Sequence, residues 1–107
     1  MYVPTDNTIV SALESAVGVA EESDVPLVTA DTDSVSRGAL AALGFNYHEV
    51  GKETGAVVVR ILNGEPAGDI PVAVASGSNL VVNKAAAEKM GVTLPAAILE
   101  RANQVVE

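Results

Sequence analysis

With 107 residues the chain is sized for one small domain. Hydrophobic residues supply 49% of it and aromatics only 3%, so a core has to be assembled from Val, Ala, Leu and Ile, the usual filling of helix-on-sheet layers. A formal net charge of -8 without any Lys/Arg cluster speaks against nucleic acid or an anionic lipid surface as partner, and the lack of cysteine excludes a disulfide framework, a Cys-ligated zinc and a thiol nucleophile. No apolar stretch approaches the roughly 20 residues needed to cross a bilayer. No signal-peptide pattern opens the sequence as given, so, read literally, the chain is expected to be soluble and to stay where it is made.

Met1-Tyr2-Val3 reads as a strand end closed by Pro4, and Thr5-Asp6-Asn7 is rich in residues that cap helices. Ile9, Leu13, Ala16, Val17 and Ala20 recur at spacings of three and four, which predicts a helix from about Thr8 to Glu22 with one buried face. Leu27 to Ala30 is a short buried strand, and strand–helix–strand in so short a span is a βαβ unit with parallel strands. After the polar loop Asp31-Thr32-Asp33-Ser34, a short helical turn and a strand over Ala39–Leu43 are expected, then a connector through Gly44-Phe45-Asn46-Tyr47. A second helix spans about His48 to Leu62, with Val50, Val57, Val58, Ile61 and Leu62 on one face and Asn63-Gly64 as its C-terminal stop. Ile70 to Val74 reads as extended and Leu80 to Val82 as a strand. Asn83 can cap a helix over Lys84–Met90 that Gly91 ends, and Pro95 opens a last helix expected to reach Val106. The fold class is α/β, with parallel-sheet βαβ layers. Two or three short parallel strands cannot bury both faces, so the piece looks cut from a larger doubly wound sheet.

The chemistry concentrates in the polar loops after the first two strands. In open α/β sheets ligands sit outside the carboxyl ends of the strands, and parallel neighbours are about 4.8 Å apart, so the two loops should converge on one rim. Thr5, Asp6 and Asn7 on one loop, with Asp31 and Asp33 on the other, are the candidate ligand-binding residues; carboxylates and amides there suit a ligand carrying ammonium or hydroxyl groups. The competing structural reading is that Asp6 or Asn7, and Asp33, are helix caps. Phe45 and Asn46 in the connector complete the candidate set, Phe45 either as a stacking surface or as a packing anchor. No calcium loop, nucleophile elbow, phosphate-binding loop or dinucleotide glycine pattern is present, and His48 is a lone histidine, so no catalytic residue, metal or cofactor is expected. Gly51 and Gly55 read as helix-packing positions.

Several of these segments together resemble one family. The run Tyr2-Val3-Pro4-Thr5-Asp6-Asn7-Thr8, then Ala30-Asp31-Thr32-Asp33-Ser34-Val35 with Arg37-Gly38-Ala39, resembles the ABC substrate-binding family that includes tryptophan- and tyrosine-type binding lipoproteins. Arg60-Ile61-Leu62-Asn63-Gly64-Glu65-Pro66, Gly68-Asp69-Ile70-Pro71-Val72 and Asn83 with Met90-Gly91-Val92 fit as well, in order and across essentially the whole chain. The resemblance implies a type I periplasmic-binding-protein-like fold of two lobes, with ligand trapped between them and handed to ABC permease subunits in a membrane. It also implies that this chain is the C-terminal third or so of a full protein held in the periplasm or at the extracellular membrane face. Residues 1–43 and 79–107 would then belong to the C-terminal lobe. Residues 44–78 would hold two hinge crossings, at 44–47 and 75–78, plus a helix of the N-terminal lobe. The implied ligand is a small solute, an amino acid or an aromatic one, which the piece alone would bind weakly. With surfaces meant for another lobe uncovered, the chain is expected to form a homo-oligomer. The rival readings are a ligand-sensing regulatory domain of the same fold and a small α/β enzyme using Asp31 and His48.

Overall fold

The computed structural model describes residues 1–74 and 79–107. The chain divides into two compact units, Met1–Gly44 with Ser78–Glu107, and Phe45–Gly77.

The first unit is built on a five-stranded sheet in the order β1-β2-β3-β4-β5: Tyr2–Val3, Val28–Thr29, Ala41–Gly44, Asn79–Asn83 and Gln104–Val106. β1, β2 and β3 run parallel, in register Val3 to Thr29 and Thr29 to Ala42. β4 is antiparallel to β3, with Gly44 opposite Asn79, and β5 is parallel to β4. Alternation along β3 sends neighbouring residues to opposite faces. Ala41 packs against a core of Val3, Leu13, Val17, Ala20, Leu27 and Met90, whereas Ala42 packs with Val35 and Val81. The sheet is therefore covered on both sides. The larger core is closed by α2 (Leu13–Glu22) and α5 (Lys84–Lys89), the smaller by α3 (Asp33–Ser36). Arg37 grips both carboxylate oxygens of Glu14 at 2.8 and 2.9 Å, joining the end of α3 to the start of α2. The Glu14 carboxyl is held below its ordinary range by its own backbone amide first and by Arg37 second.

Three sequence expectations change here. The first helix is two: α1 (Asn7–Ser11) and α2 meet at Ala12, which leaves helical geometry at φ -119 ψ 28. Leu13 is fully buried while α1 holds no buried residue, so packing fixes only the second half of the amphipathic stretch. The last helix, α6 (Ala96–Arg101), stops well short of Val106. Ala102 turns extended, the Asn103 amide donates to the Leu80 carbonyl at 2.8 Å, and the Asn103 side chain accepts the Leu80 amide at 2.8 Å. The β-branched Val105 and Val106 then pair with β4 and cover the edge that β3 leaves open. The sheet is also mixed rather than wholly parallel, because β4 returns beside β3.

The second unit carries α4 (Tyr47–Leu62), a short 3-10 turn (Ala67–Asp69) and the segment 70–74, which is extended at Ile70 and joins no strand among the described residues. Gly64, at φ +96, ends the helix as its position in the sequence predicts, and the Glu65 amide closes back on the Arg60 carbonyl at 3.1 Å. No α4 residue is buried; Val58 is 48% exposed and Leu62 79%. An apolar groove of about 420 Å³ lies between Val50, Val57 and Ile61 on the helix and Ile70, Pro71 and Val72. Among the described residues this unit has no core of its own. The expected return crossing over 75–78 lies outside the described residues.

Candidate ligand-binding rim

Because β1, β2 and β3 are parallel neighbours, their carboxyl ends lie along one side of the first unit. The loop after β1 carries Thr5, Asp6 and Asn7, and the loop after β2 carries Asp31 and Asp33. The Ala30 amide donates to the Val3 carbonyl at 2.9 Å, so the two loops leave the sheet side by side. Gly44 ends β3 against the second loop: a Cβ there would lie 2.5 Å from the Ala30 carbonyl oxygen and 3.4 Å from Thr32 Cγ2. The close approach of strand end to loop therefore requires glycine.

The acidic residues are engaged very differently. Asp6 caps α1 through one oxygen only. Its Oδ1 accepts the Thr8 and Ile9 amides at 2.9 and 3.0 Å, while among the described residues Oδ2 accepts none. Thr5, Asp6 and Asn7 are all exposed. Asp31 is half-buried and spends both oxygens on Ser34, accepting its amide at 3.0 Å on Oδ1 and its hydroxyl on Oδ2. Thr29, itself buried, donates its hydroxyl to the Asp31 carbonyl at 2.9 Å. Asp33 opens α3 and is exposed; the capping role that its sequence position suggested falls to Asp31. The rim thus presents one carboxylate oxygen from Asp6 and the carboxylate of Asp33, with Asp31 turned inward as the brace of its own loop.

Phe45 and Asn46 fall in the second unit. Asn46 caps α4, accepting the His48 and Glu49 amides at 3.0 and 3.4 Å, and Phe45 is 46% exposed. Asn before a helical run is an N-cap pattern, and the sequence reading missed it by starting the helix one residue late. The sequence pattern marks Asn83 only as a cap, yet it also donates from Nδ2 to the Val35 carbonyl at 2.9 Å; nothing local in the sequence marks a partner 48 positions away. Among the described residues no group of three or more His, Asp or Glu side chains is placed to hold a metal ion.

The sequence and fold match proteins already known. A family model described as ABC transporter substrate binding protein matches residues 1–106. The chain belongs to that family. It is 38% identical over 84 residues to a tyrosine-binding protein of Clostridioides difficile (strain R20291), a match spanning 78% of this chain and 24% of that protein. Among solved structures, a domain of a Streptococcus pneumoniae ABC protein in complex with L-Trp is 36% identical, with a TM-score of 0.84 over 98% of this chain and 36% of that one. A conserved domain protein from Vibrio cholerae is 44% identical, with a TM-score of 0.85 over 97% of this chain and 35% of that one. A ligand-free, open substrate-binding protein from Clostridium difficile gives 36% identity and a TM-score of 0.75, again spanning 35% of that chain. The chain therefore spans well under half of each relative's length. The family is one of substrate-binding proteins, and the α/β class with a mostly parallel sheet is what the sequence pattern implied.

Proposed function

We propose that this chain supplies one wall of a cleft that binds an aromatic amino acid for an ABC import system. The observation that carries the reading is the convergence of the loops after β1 and β2 on one rim, where the free oxygen of Asp6 and the carboxylate of Asp33 offer an anchor for an ammonium group. The matched tyrosine-binding protein and the L-Trp complex support the ligand class. Phe45 and Asn46, in the second unit, are proposed as further ligand contacts, Phe45 by stacking. In this reading residues 1–43 and 79–107 form the C-terminal lobe of a two-lobed protein, and 44–78 cross to the other lobe and back. The intact protein would sit in the periplasm or anchored at the extracellular membrane face, and would pass its ligand to permease subunits.

Affinity follows from geometry. A ligand enclosed between two lobes can reach micromolar binding, about 8 kcal/mol. On a single rim its ammonium–carboxylate pair stays in water, where such a pair contributes about 1 kcal/mol or less. Titrating the 107-residue chain with L-tryptophan or L-tyrosine is expected to shift the amide NMR signals of residues 5–7 and 31–34 weakly, with midpoints well above about 1 mM. Asp6→Asn should weaken that binding several-fold. Asp31→Asn should act chiefly on stability, by about 1 kcal/mol for the Ser34 hydrogen bonds. Shifts confined to α4, or none at all up to the solubility limit, would sink the proposal.

The uncovered apolar surface of the second unit supports self-association. Val58, Val59 and Leu62 are 48%, 55% and 79% exposed on one helix, beside Val72 at 100%. Light scattering at rising concentration is expected to show a mass above that of a monomer, and Leu62→Glu should move the distribution back toward monomer. A constant monomer mass would contradict this.

A further inference from the structure

Asn83 is the last residue of β4 and lies at the end of the sheet opposite the rim, since β4 runs antiparallel to β3 and the Asn83 amide donates to the Leu40 carbonyl at 2.9 Å. Its side chain, in a residue only 7% exposed, makes two bonds: Oδ1 accepts the Ala86 amide at 2.9 Å, and Nδ2 donates to the Val35 carbonyl at 2.9 Å. Capping α5 needs only an acceptor, and Asp, Ser or Thr would serve as well. The amide adds a second arm: Asp could not donate, and a Ser or Thr hydroxyl has one short oxygen where Asn83 uses separate atoms for its two partners.

The second bond leads to the rim. Val35 and its neighbour Ser34 are both fully buried, and Ser34 is the residue on which Asp31 spends both carboxylate oxygens. Asp31 in turn accepts the Thr29 hydroxyl on its carbonyl. A run of buried or half-buried polar contacts thus links Asn83, through Val35, Ser34 and Asp31, to Thr29 and β2. The Val35 carbonyl also accepts the Gly38 amide at 3.2 Å within its own turn, and Asn83 adds to it a hydrogen bond from β4, beside the packing of the Val35 side chain with Val81. Buried polar contacts of this kind fix one geometry because each broken bond leaves a partner out of reach of water.

We infer that Asn83 is a positioning residue for the ligand rim: by tying the Val35 carbonyl to β4 it holds the loop that is braced by Asp31 and presents Asp33 in one shape before ligand arrives. The inference rests on the reading of the rim as a ligand wall. Asn83→Asp keeps the acceptor for Ala86 and removes the donor to Val35; Asn83→Ser keeps a cap for Ala86 without adding charge, in case the carboxylate disturbs folding, and replaces the two-ended amide with a single hydroxyl one atom shorter, which loses the reach to the Val35 carbonyl.

Two measurements on the 107-residue chain decide it. In both variants the Ser34 amide is expected to exchange with deuterium about tenfold faster than in the wild type while the Ala86 amide stays within about twofold, because only the tie and not the cap is lost. The L-tryptophan midpoint read at residues 31–34 should rise at least about threefold. Unchanged Ser34 exchange in both variants overturns the tie. Faster exchange with an unchanged midpoint overturns the positioning role and leaves Asn83 purely structural. A wild-type chain that gives no L-tryptophan response removes the reading of the rim itself, and the positioning role with it, whatever the exchange rates show.

Discussion

Replacing Gly44 with alanine is expected to lower the stability of the sheet unit by about 2 kcal/mol, with a larger loss for valine. The added Cβ would stand 2.5 Å from the Ala30 carbonyl oxygen, a backbone atom that cannot rotate away. Either β3 slips from β2, breaking the pairing of Thr29 with Ala42, or the loop carrying Asp31 and Asp33 is pushed off the sheet. Both outcomes disturb the rim, so weaker ligand response should accompany the stability loss. Gly51→Ala is the matching control: nothing lies within 4 Å of a Cβ at that position on α4, and the substitution should cost nothing. Urea unfolding followed at β-sheet amides checks both. Equal midpoints for Gly44→Ala and wild type would show that the close approach carries no energy.

Leu13→Ala should produce a loss of about 2–5 kcal/mol, a large share of what a domain of this size has to give. Leu13 is fully buried at the first turn of α2, among Val3, Leu27 and Met90, and with few aromatics in the chain no large ring is nearby to fill the vacated volume. Leu62→Ala, at a position 79% exposed on α4, should stay within about 0.5 kcal/mol. The contrast measures how unevenly stability is distributed between the two units. Comparable effects at the two sites would mean that α4 is as firmly packed as α2.

The sequence disclosed elements wherever periodicity was local. The apolar spacing from Leu13 to Ala20, the Gly64 stop and the Asn83 cap all appear where the pattern puts them. It failed where tertiary pairing decided. Ile98, Ala102 and Val105 fit a helical stripe, yet the edge of β4 and the Asn103 contacts to Leu80 draw the last residues into the sheet. Ala12 carries no helix-breaking signal; the bend there follows from burial of Leu13 beside an unburied α1. At the rim, the converging loops were legible because βαβ handedness places strand ends together. The division of labour between Asp6 and Asp31 was not, since both sit in similar polar runs and only the position of Ser34 shows which carboxylate is spent internally.

The antiparallel register of β3 with β4 has one more consequence. Gly44 and Asn79 are opposite partners, so the chain leaves the sheet and rejoins it at adjacent, paired positions. Topologically the second unit occupies the place of a hairpin turn. The closure entropy of such an excursion grows only logarithmically with its length, about 0.6 kcal/mol for each doubling. Evolution can therefore enlarge, shorten or exchange everything between residues 44 and 79 while the strand order and the β1–β2 rim stay as they are. The excursion can thus change its surface while the strand pairing of the sheet unit is left untouched.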